Sequence, residues 1–137
     1  MHPALPLGVP VMDADHAVLE LMFERVPETR DDALPALYAE IEAEVISHFA
    51  REEVLMEAAG VPVLHCHRNQ HRLLLDRIAA QRPTAATEAG ALRTTLAMLA
   101  AAVETHVDGV DRVTSRFLIE PFAPAVDPAE RAPEAAW

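Results

Sequence analysis

The stretch LYAEIEAEVISHFAREEVL, residues 37–55, decides the fold. Its apolar side chains recur every three or four positions, which is the spacing that places residues on one face of an α-helix. His48 and Glu52 interrupt this apolar stripe one helical turn apart. The stretch therefore predicts an amphipathic helix whose inner face carries an imidazole and a carboxylate, where a helical core would ordinarily hold leucine.

Proline and glycine divide the chain into four segments that share this helical periodicity. We predict helix A from about Asp13 or Asp15 to Pro27, helix B from an N-cap at Asp31 or Asp32 to Ala59, helix C over residues 63–82, and helix D over residues 87–119. Gly60 is the expected C-cap of helix B, and Pro35 falls in its first turn, where a missing N–H costs nothing. Amphipathic helices joined by short connections are typical of an up-down-up-down four-helix bundle.

Composition supports an all-α protein with one domain. Hydrophobic residues make up 51% of the 137 residues, which is enough for a core at this length, whereas aromatic residues make up only 4%, which disfavours sandwiches and barrels. We expect an extended N-terminal arm over residues 1–12, the four-helix bundle over residues 13–119, and a Pro-rich C-terminal tail over residues 120–137 that packs loosely or is disordered.

Charge and cysteine content limit the partners and the compartment. The formal net charge of −11 opposes binding to phosphate backbones, so we expect no nucleic-acid partner. No basic amphipathic stretch or long apolar run indicates a membrane partner, and the N-terminus has no signal-peptide pattern. The single cysteine, Cys66, cannot form an intrachain disulfide. These features predict a cytoplasmic protein.

Five of the seven histidines lie on the predicted inner faces, and each helix contributes at least one: His16 on helix A, His48 on helix B, His67 and His71 on helix C, and His106 on helix D. One histidine on an apolar stripe is more often a hydrogen-bonded core residue than a metal ligand. Without partners, however, so many buried polar groups would each cost roughly several kcal/mol. A shared metal ion would offset that cost, and imidazole with carboxylate suits iron, manganese or zinc.

The acids near the histidines separate two kinds of metal-binding bundle. Ferritin-like bundles use Glu-x-x-His on two helices, and no histidine here has a glutamate three residues before it. Asp111 follows His106 by five residues, about 140° round an ideal α-helix, so it borders the stripe without lying on it. A local π-type turn would bring its carboxylate inward. Helical geometry alone leaves the role of Asp111 as a ligand open.

Four segments resemble motifs of the hemerythrin family in its single-domain bacterial form, the bacteriohemerythrins with an HHE cation-binding domain. They follow the family's order and cover about residues 8–120: GVPVMDADHAVL (8–19) with its D-x-x-H ligand motif, HFAREEVLM (48–56), GVPVLHCHRNQH (60–71) and HVDGVD (106–111). The chain departs from the family at Val61, where an aromatic residue usually stands next to the proline, and in its short helix A.

This resemblance implies a non-haem di-iron centre with an oxo or hydroxo bridge. One iron would be bound by His67, His71 and His106 and the other by His16 and His48, with Glu52 and Asp111 bridging both. This set leaves one iron a coordination position short, which is where the family binds dioxygen. The resemblance therefore implies reversible binding of O2, for storage, delivery or sensing, by a protein that is not an enzyme.

The same ligand set is compatible with other functions. A di-iron enzyme would reduce peroxide or nitric oxide, or oxidise iron, and a redox or oxygen sensor would act through an unidentified protein partner. Tyr38, the only tyrosine, lies about 15 Å along helix B from His48 at about 1.5 Å per residue, which is too far to supply protons. We therefore favour oxygen binding and keep the enzyme and the sensor as alternatives.

Several residues beside the motifs have less specific roles. Phe49 is expected to pack next to the cluster, and Glu53 is expected to be either a solvated partner for arginine or an acid that supports a ligand. Met56 suits the lining of a ligand pocket and an ordinary core position equally well. His65 and Cys66 are expected to have structural or surface roles, because a zinc site would need a second pair of cysteines.

Overall fold

A computed structural model describes residues 5–119 of the chain, and all regular secondary structure in that part is helical. The long helices are α1 (Pro10–Glu24), α2 (Leu34–Ala59), α3 (Leu64–Ala80) and α4 (Ala89–His106), and α4 continues through a π-helical turn (Val107–Asp111) into α5 (Arg112–Ile119). A short 3-10 helix, Asp31–Ala33, precedes α2. The predicted all-α, up-down-up-down four-helix bundle is confirmed, with α4, the π-helical turn and α5 forming its fourth member.

The central member of the bundle is α2, the helix that contains the opening stretch. It packs against α1, α3 and α4, because its apolar stripe runs along most of its length. Ile41 and Val45 on this stripe are almost completely buried, and they belong to one core cluster with Leu19 of α1 and Leu96 of α4. The main core cluster therefore joins α1, α2, α3 and α4, and a second, smaller cluster contains Met12 of α1.

The ends of α2 follow the expected punctuation. Pro35 lies in the first turn, and Gly60 caps the C-terminus in the left-handed region with a φ of 64°. That backbone conformation favours glycine because a Cβ atom strains it. The sharp reversal at Gly60 lets α3 start within a few residues and pack back against α2.

The beginnings of α1 and α2 differ from the prediction. Helix α1 begins at Pro10, before both expected starts, Asp13 and Asp15, because proline fits the first turn of a helix. The Asp13 carboxylate instead accepts hydrogen bonds from the backbone N–H groups of Leu7 (2.8 Å) and Gly8 (3.1 Å).

The predicted N-cap of α2 was also wrong. Neither Asp31 nor Asp32 makes a capping hydrogen bond, since the chain forms the short 3-10 helix there. The Asp31 carboxylate accepts a 2.8 Å hydrogen bond from Arg93 instead.

Parts of the predicted organisation lie outside the described residues. The expected C-terminal tail, residues 120–137, and the first four residues of the expected N-terminal arm belong to those parts. Within the described part, no helix has the length and apolar character required to cross a membrane.

Candidate metal centre

All seven side chains proposed as ligands meet in the interior of the bundle. They come from every long helix: His16 from α1, His48 and Glu52 from α2, His67 and His71 from α3, His106 from the end of α4, and Asp111 from the end of the π-helical turn. Each of these residues is 5% exposed or less. Helical periodicity explains their convergence, because each histidine occupies a position of the inward stripe that an aliphatic residue would otherwise fill.

Asp111 reaches the cluster because of the π-helical turn. The N–H of Arg112 points to the carbonyl of Val107, five residues back, whereas an α-helix would pair it with the residue four back. The wider turn brings a residue five positions after His106 onto the same face. Asp111 is accordingly 0% exposed. The π-type turn that its inward orientation requires is therefore present.

The two carboxylates stand between two sets of histidines. One oxygen of Glu52, Oε2, lies 3.3 Å from His48 Nε2 and 3.7 Å from His16 Nε2. Its other oxygen, Oε1, lies 3.0 Å from His71 Nε2 and 3.7 Å from His67 Nε2. Glu52 thus offers one oxygen to each set.

Asp111 repeats this arrangement from the fourth helix. Its Oδ2 accepts a 3.0 Å hydrogen bond from His16, and its Oδ1 lies 2.9 Å from His67 Nε2 and 3.0 Å from His106 Nε2. The ligand atoms therefore form two overlapping groups, each within 4.8 Å: His67, His71 and His106 with both carboxylates, and His16 and His48 with both carboxylates.

The donor atoms of the cluster fit a bound cation. In the part of the chain that the structure describes, several buried atoms of the cluster have no hydrogen-bond partner: Glu52 Oε2, His67 Nε2, His106 Nε2 and Asp111 Oδ1. The nitrogens of His67 and His106 lie close to Asp111 Oδ1 without the alignment of a hydrogen bond. Unpartnered buried polar atoms are costly. Their convergence, with a donor set of imidazole and carboxylate, is the arrangement expected of atoms that share a metal ion.

Electrostatics in the cluster favour charged side chains despite burial. Burial lowers the pKa of His16 and of His67, but the attraction of the Asp111 and Glu52 carboxylates outweighs burial and raises each pKa to about 9. Burial raises the pKa of Glu52 and of Asp111, but the surrounding histidines hold both pKa values below the usual range. A metal ion that binds here must displace protons from the imidazoles, so its affinity will depend on pH.

Three of the histidines have their Nδ1 atoms bound on the side away from the cluster. His48 Nδ1 lies 3.1 Å from Asp15, and His71 Nδ1 lies 3.0 Å from Glu53. His67 Nδ1 lies 2.6 Å from the hydroxyl of Thr114. Since a carboxylate only accepts, His48 and His71 donate Nδ1–H to these acids, which leaves the Nε2 atom of each ring facing the cluster, where it would bind a metal ion.

Sequence reasoning missed two of these outer partners. Asp15 was considered only as a start of helix A, and Thr114 was not considered. The available signal for Thr114 was its position three residues after Asp111, which puts the two side chains on one helical face. Glu53 combines the two roles expected of it, since it binds Arg68 as well as His71.

Phe49, His65 and Cys66 lie where the sequence predicted them. The Phe49 ring stacks on the His71 ring with centroids 3.8 Å apart, which confirms its place beside the cluster. The Tyr38 hydroxyl donates a hydrogen bond to the Ile78 carbonyl. His65 and Cys66 are exposed, so their placement at the surface is confirmed.

Comparison with known proteins agrees with this geometry. The family model described as the hemerythrin HHE cation binding domain matches residues 7–117. A bacteriohemerythrin of Ralstonia nicotianae is 38% identical over 119 residues, which are 85% of this chain and 86% of that protein. Bacteriohemerythrins of Stenotrophomonas maltophilia and Pseudomonas aeruginosa are 33% and 32% identical over 82 residues, which are 57% of this chain and 54% of each relative.

No solved structure gives a significant match to the chain. The family model nevertheless spans all four members of the bundle and every residue of the buried cluster. The chain therefore belongs to the hemerythrin family.

Proposed function

We propose that this protein binds two iron ions in the buried cluster and uses them to bind dioxygen reversibly. The observation that carries the proposal is the unequal division of the histidines, with three in one group and two in the other, around two shared carboxylates. We assign His67, His71 and His106 to one iron, His16 and His48 to the other, and the bridging positions to Glu52 and Asp111. An iron pair so held would supply the electrons and the open coordination position that O2 binding requires.

The division of ligands supports the choice of a small-molecule binding site. Each carboxylate has one oxygen facing each group, so the protein offers five donor atoms on one side and four on the other. A structural metal site has a closed set of protein ligands, whereas a site that binds an exogenous ligand keeps a position open. The group with two histidines is the one that leaves such a position.

The surroundings of the cluster support reversible binding. Buried apolar residues stand next to the ligands along their helices: Leu19 after His16, Val45 before His48, Phe49 beside His48, and Val103 before His106. A dry, apolar site excludes the water and protons that would convert bound oxygen irreversibly. The chain's own contribution is therefore to position two ions, hold the bridging carboxylates ionised and keep solvent out.

The proposal is tested by recording the visible spectrum of the iron-loaded protein while it is reduced under anaerobic conditions, exposed to air, and deoxygenated again. We expect charge-transfer bands that appear with O2 and disappear when O2 is removed. Protein without such bands would overturn the proposal. One-way conversion to an oxidised form would also overturn it, and would favour a redox enzyme or a sensor.

Two variants connect the spectrum with the cluster. His16→Ala removes a side chain from the group with two histidines and should abolish the reversible cycle. His65→Ala removes an exposed histidine outside the cluster and should leave the cycle unchanged. If both variants show the reversible bands, O2 binds outside the cluster.

A further inference from the structure

Two chains of hydrogen bonds run outward from the cluster to the protein surface. In the first, the Asp15 carboxylate accepts the Nδ1–H of His48 at 3.1 Å and two hydrogen bonds from the Arg51 guanidinium at 2.9 Å. The Arg51 guanidinium also donates a 2.9 Å hydrogen bond to Glu44. The order of groups is therefore histidine, carboxylate, arginine and glutamate.

The second chain repeats that order with different residues. The Glu53 carboxylate accepts the Nδ1–H of His71 at 3.0 Å through one oxygen and a 3.1 Å hydrogen bond from Arg68 through the other. Arg68 also donates a 3.0 Å hydrogen bond to Glu57. Each carboxylate is thus held between a buried imidazole and a half-exposed guanidinium.

The two chains of hydrogen bonds begin at histidines of different groups of the cluster. His48 belongs to the group with two histidines, and His71 belongs to the group with three. The side chains of Asp15 and Glu53 are only 14% and 28% exposed, so water competes weakly for their oxygens. His67 differs from both because its Nδ1 faces the neutral hydroxyl of Thr114.

We propose that Asp15 and Glu53 are matched positioning residues, one for each metal ion. They orient His48 and His71 and make the Nε2 atoms of these histidines stronger metal ligands. This inference rests on the proposed two-iron site. A carboxylate that accepts Nδ1–H fixes the tautomer and the ring plane and increases the electron density on the metal-bound nitrogen. Arg51 and Arg68 hold each carboxylate in the orientation that this contact requires.

Each metal ion would therefore depend on its own carboxylate, Asp15 or Glu53. Loss of Asp15 or Glu53 should weaken binding of the metal ion on its own side of the cluster and leave binding of the other ion unchanged. Because a stronger donor stabilises the more highly charged metal, loss of the carboxylate should also raise the reduction potential of the centre. A residue with only a structural role would lower stability without moving the potential.

The test compares Asp15→Asn, Glu53→Gln and the control Glu42→Gln. Glu42 lies on α2, is 14% exposed in its side chain and pairs with Arg82 at 2.8 Å, as Asp15 pairs with Arg51, but its partner leads away from the cluster. Each protein is titrated anaerobically with Fe²⁺ against a chelator, and its reduction potential is then measured.

We expect Asp15→Asn and Glu53→Gln each to lower the affinity for one of the two bound iron ions by about 10–100-fold. Each should also raise the reduction potential of the centre. Glu42→Gln should match the wild type in both measurements. Arg51→Gln, which retains Asp15, should shift both quantities in the same direction, and it replaces Asp15→Asn if that variant does not fold.

The outcomes separate the two proposals. Wild-type protein that binds no iron would overturn the proposed function and this inference together. Wild-type protein that binds two irons, with variants that match Glu42→Gln in affinity and potential, would overturn only the assignment of Asp15 and Glu53.

Discussion

At the scale of single residues, Glu52 and Asp111 connect the two groups of histidines. Each presents one oxygen to His16 and another to His67, and no histidine of the cluster reaches both groups in this way. The histidines hold both carboxylates ionised although burial opposes it. Removal of one carboxylate therefore affects both groups, whereas removal of one histidine affects its own.

Glu52→Gln is predicted to lower iron content below two ions per chain. The substitution keeps the size of the side chain but removes the negative charge that two cations would share. Loss of an outer partner typically costs about 10–100-fold in affinity, so loss of a bridging ligand should cost more. Iron analysis after gel filtration measures the effect.

The control for this prediction is Glu40→Gln. Glu40 lies on the same helix, is 53% exposed in its side chain and pairs with Arg25. Iron content should match the wild type in this variant. Two tightly bound ions in Glu52→Gln would contradict the assignment of Glu52 as a bridge.

At the scale of secondary structure, the π-helical turn decides which residue faces the cluster. An uninterrupted α-helix would leave Asp111 at the border of the inward stripe and would favour position 110 over it. In the structure Asp111 is completely buried, and Val110 is partly exposed and lines a surface groove with Val113. The turn therefore exchanges the roles that an ideal α-helix would give to these two positions.

The double variant Val110→Asp, Asp111→Val tests this exchange. It keeps the composition and moves the carboxylate by one position. We predict that iron content falls below two ions per chain, because the carboxylate at 110 points away from the cluster. Helix content, measured by circular dichroism, should stay close to that of the wild type. Full iron occupancy would show that the fourth helix adopts an α-helical register in solution.

Periodicity predicted most of the bundle and most of the cluster. His16, His48 and Glu52 lie on stripes with a regular spacing, and a stripe points inward whenever a helix packs on its neighbours. Asp111 could not be placed by α-helical spacing, since a π-helical turn has no reliable signature in a single sequence. Its assignment depended on family resemblance. Asp15 was not recognised as an outer partner because its contact joins residues 33 positions apart.

Helix starts were harder to predict than helix ends. Gly60 ended α2 where expected, because a left-handed C-cap has a strong preference for glycine. Asp31 is a good N-cap by type, but Arg93 binds its carboxylate from another helix. Such a tertiary contact overrides a local preference that is worth about 1 kcal/mol.

At the scale of the whole molecule, the bundle buries a cluster of charged groups that a metal ion or protons must neutralise. In iron-free protein the protons have that role. The pKa of His16 and of His67 is raised from 6.5 to about 9 against the effect of burial, by the carboxylates of Asp111 and Glu52. A histidine with a raised pKa stabilises the folded state fully below its unfolded pKa, and this contribution disappears as the pH rises through the folded pKa.

The free energy of unfolding of iron-free protein is therefore predicted to fall as the pH rises from about 6.5 to about 9. Urea unfolding at several pH values in the presence of a chelator measures it. Iron-loaded protein should show a flatter profile over this range, because metal replaces protons on the imidazoles. An increase in the stability of the iron-free protein over this range would contradict the electrostatic account of the cluster.

An anaerobic titration with Fe²⁺ tests most directly whether this cluster holds two metal ions. Tight binding should end at two ions per chain in the wild type. A variant with both Glu52→Gln and Asp111→Asn should bind fewer ions. Saturation at one ion or none in the wild type, or two tight ions in the variant, would contradict the account.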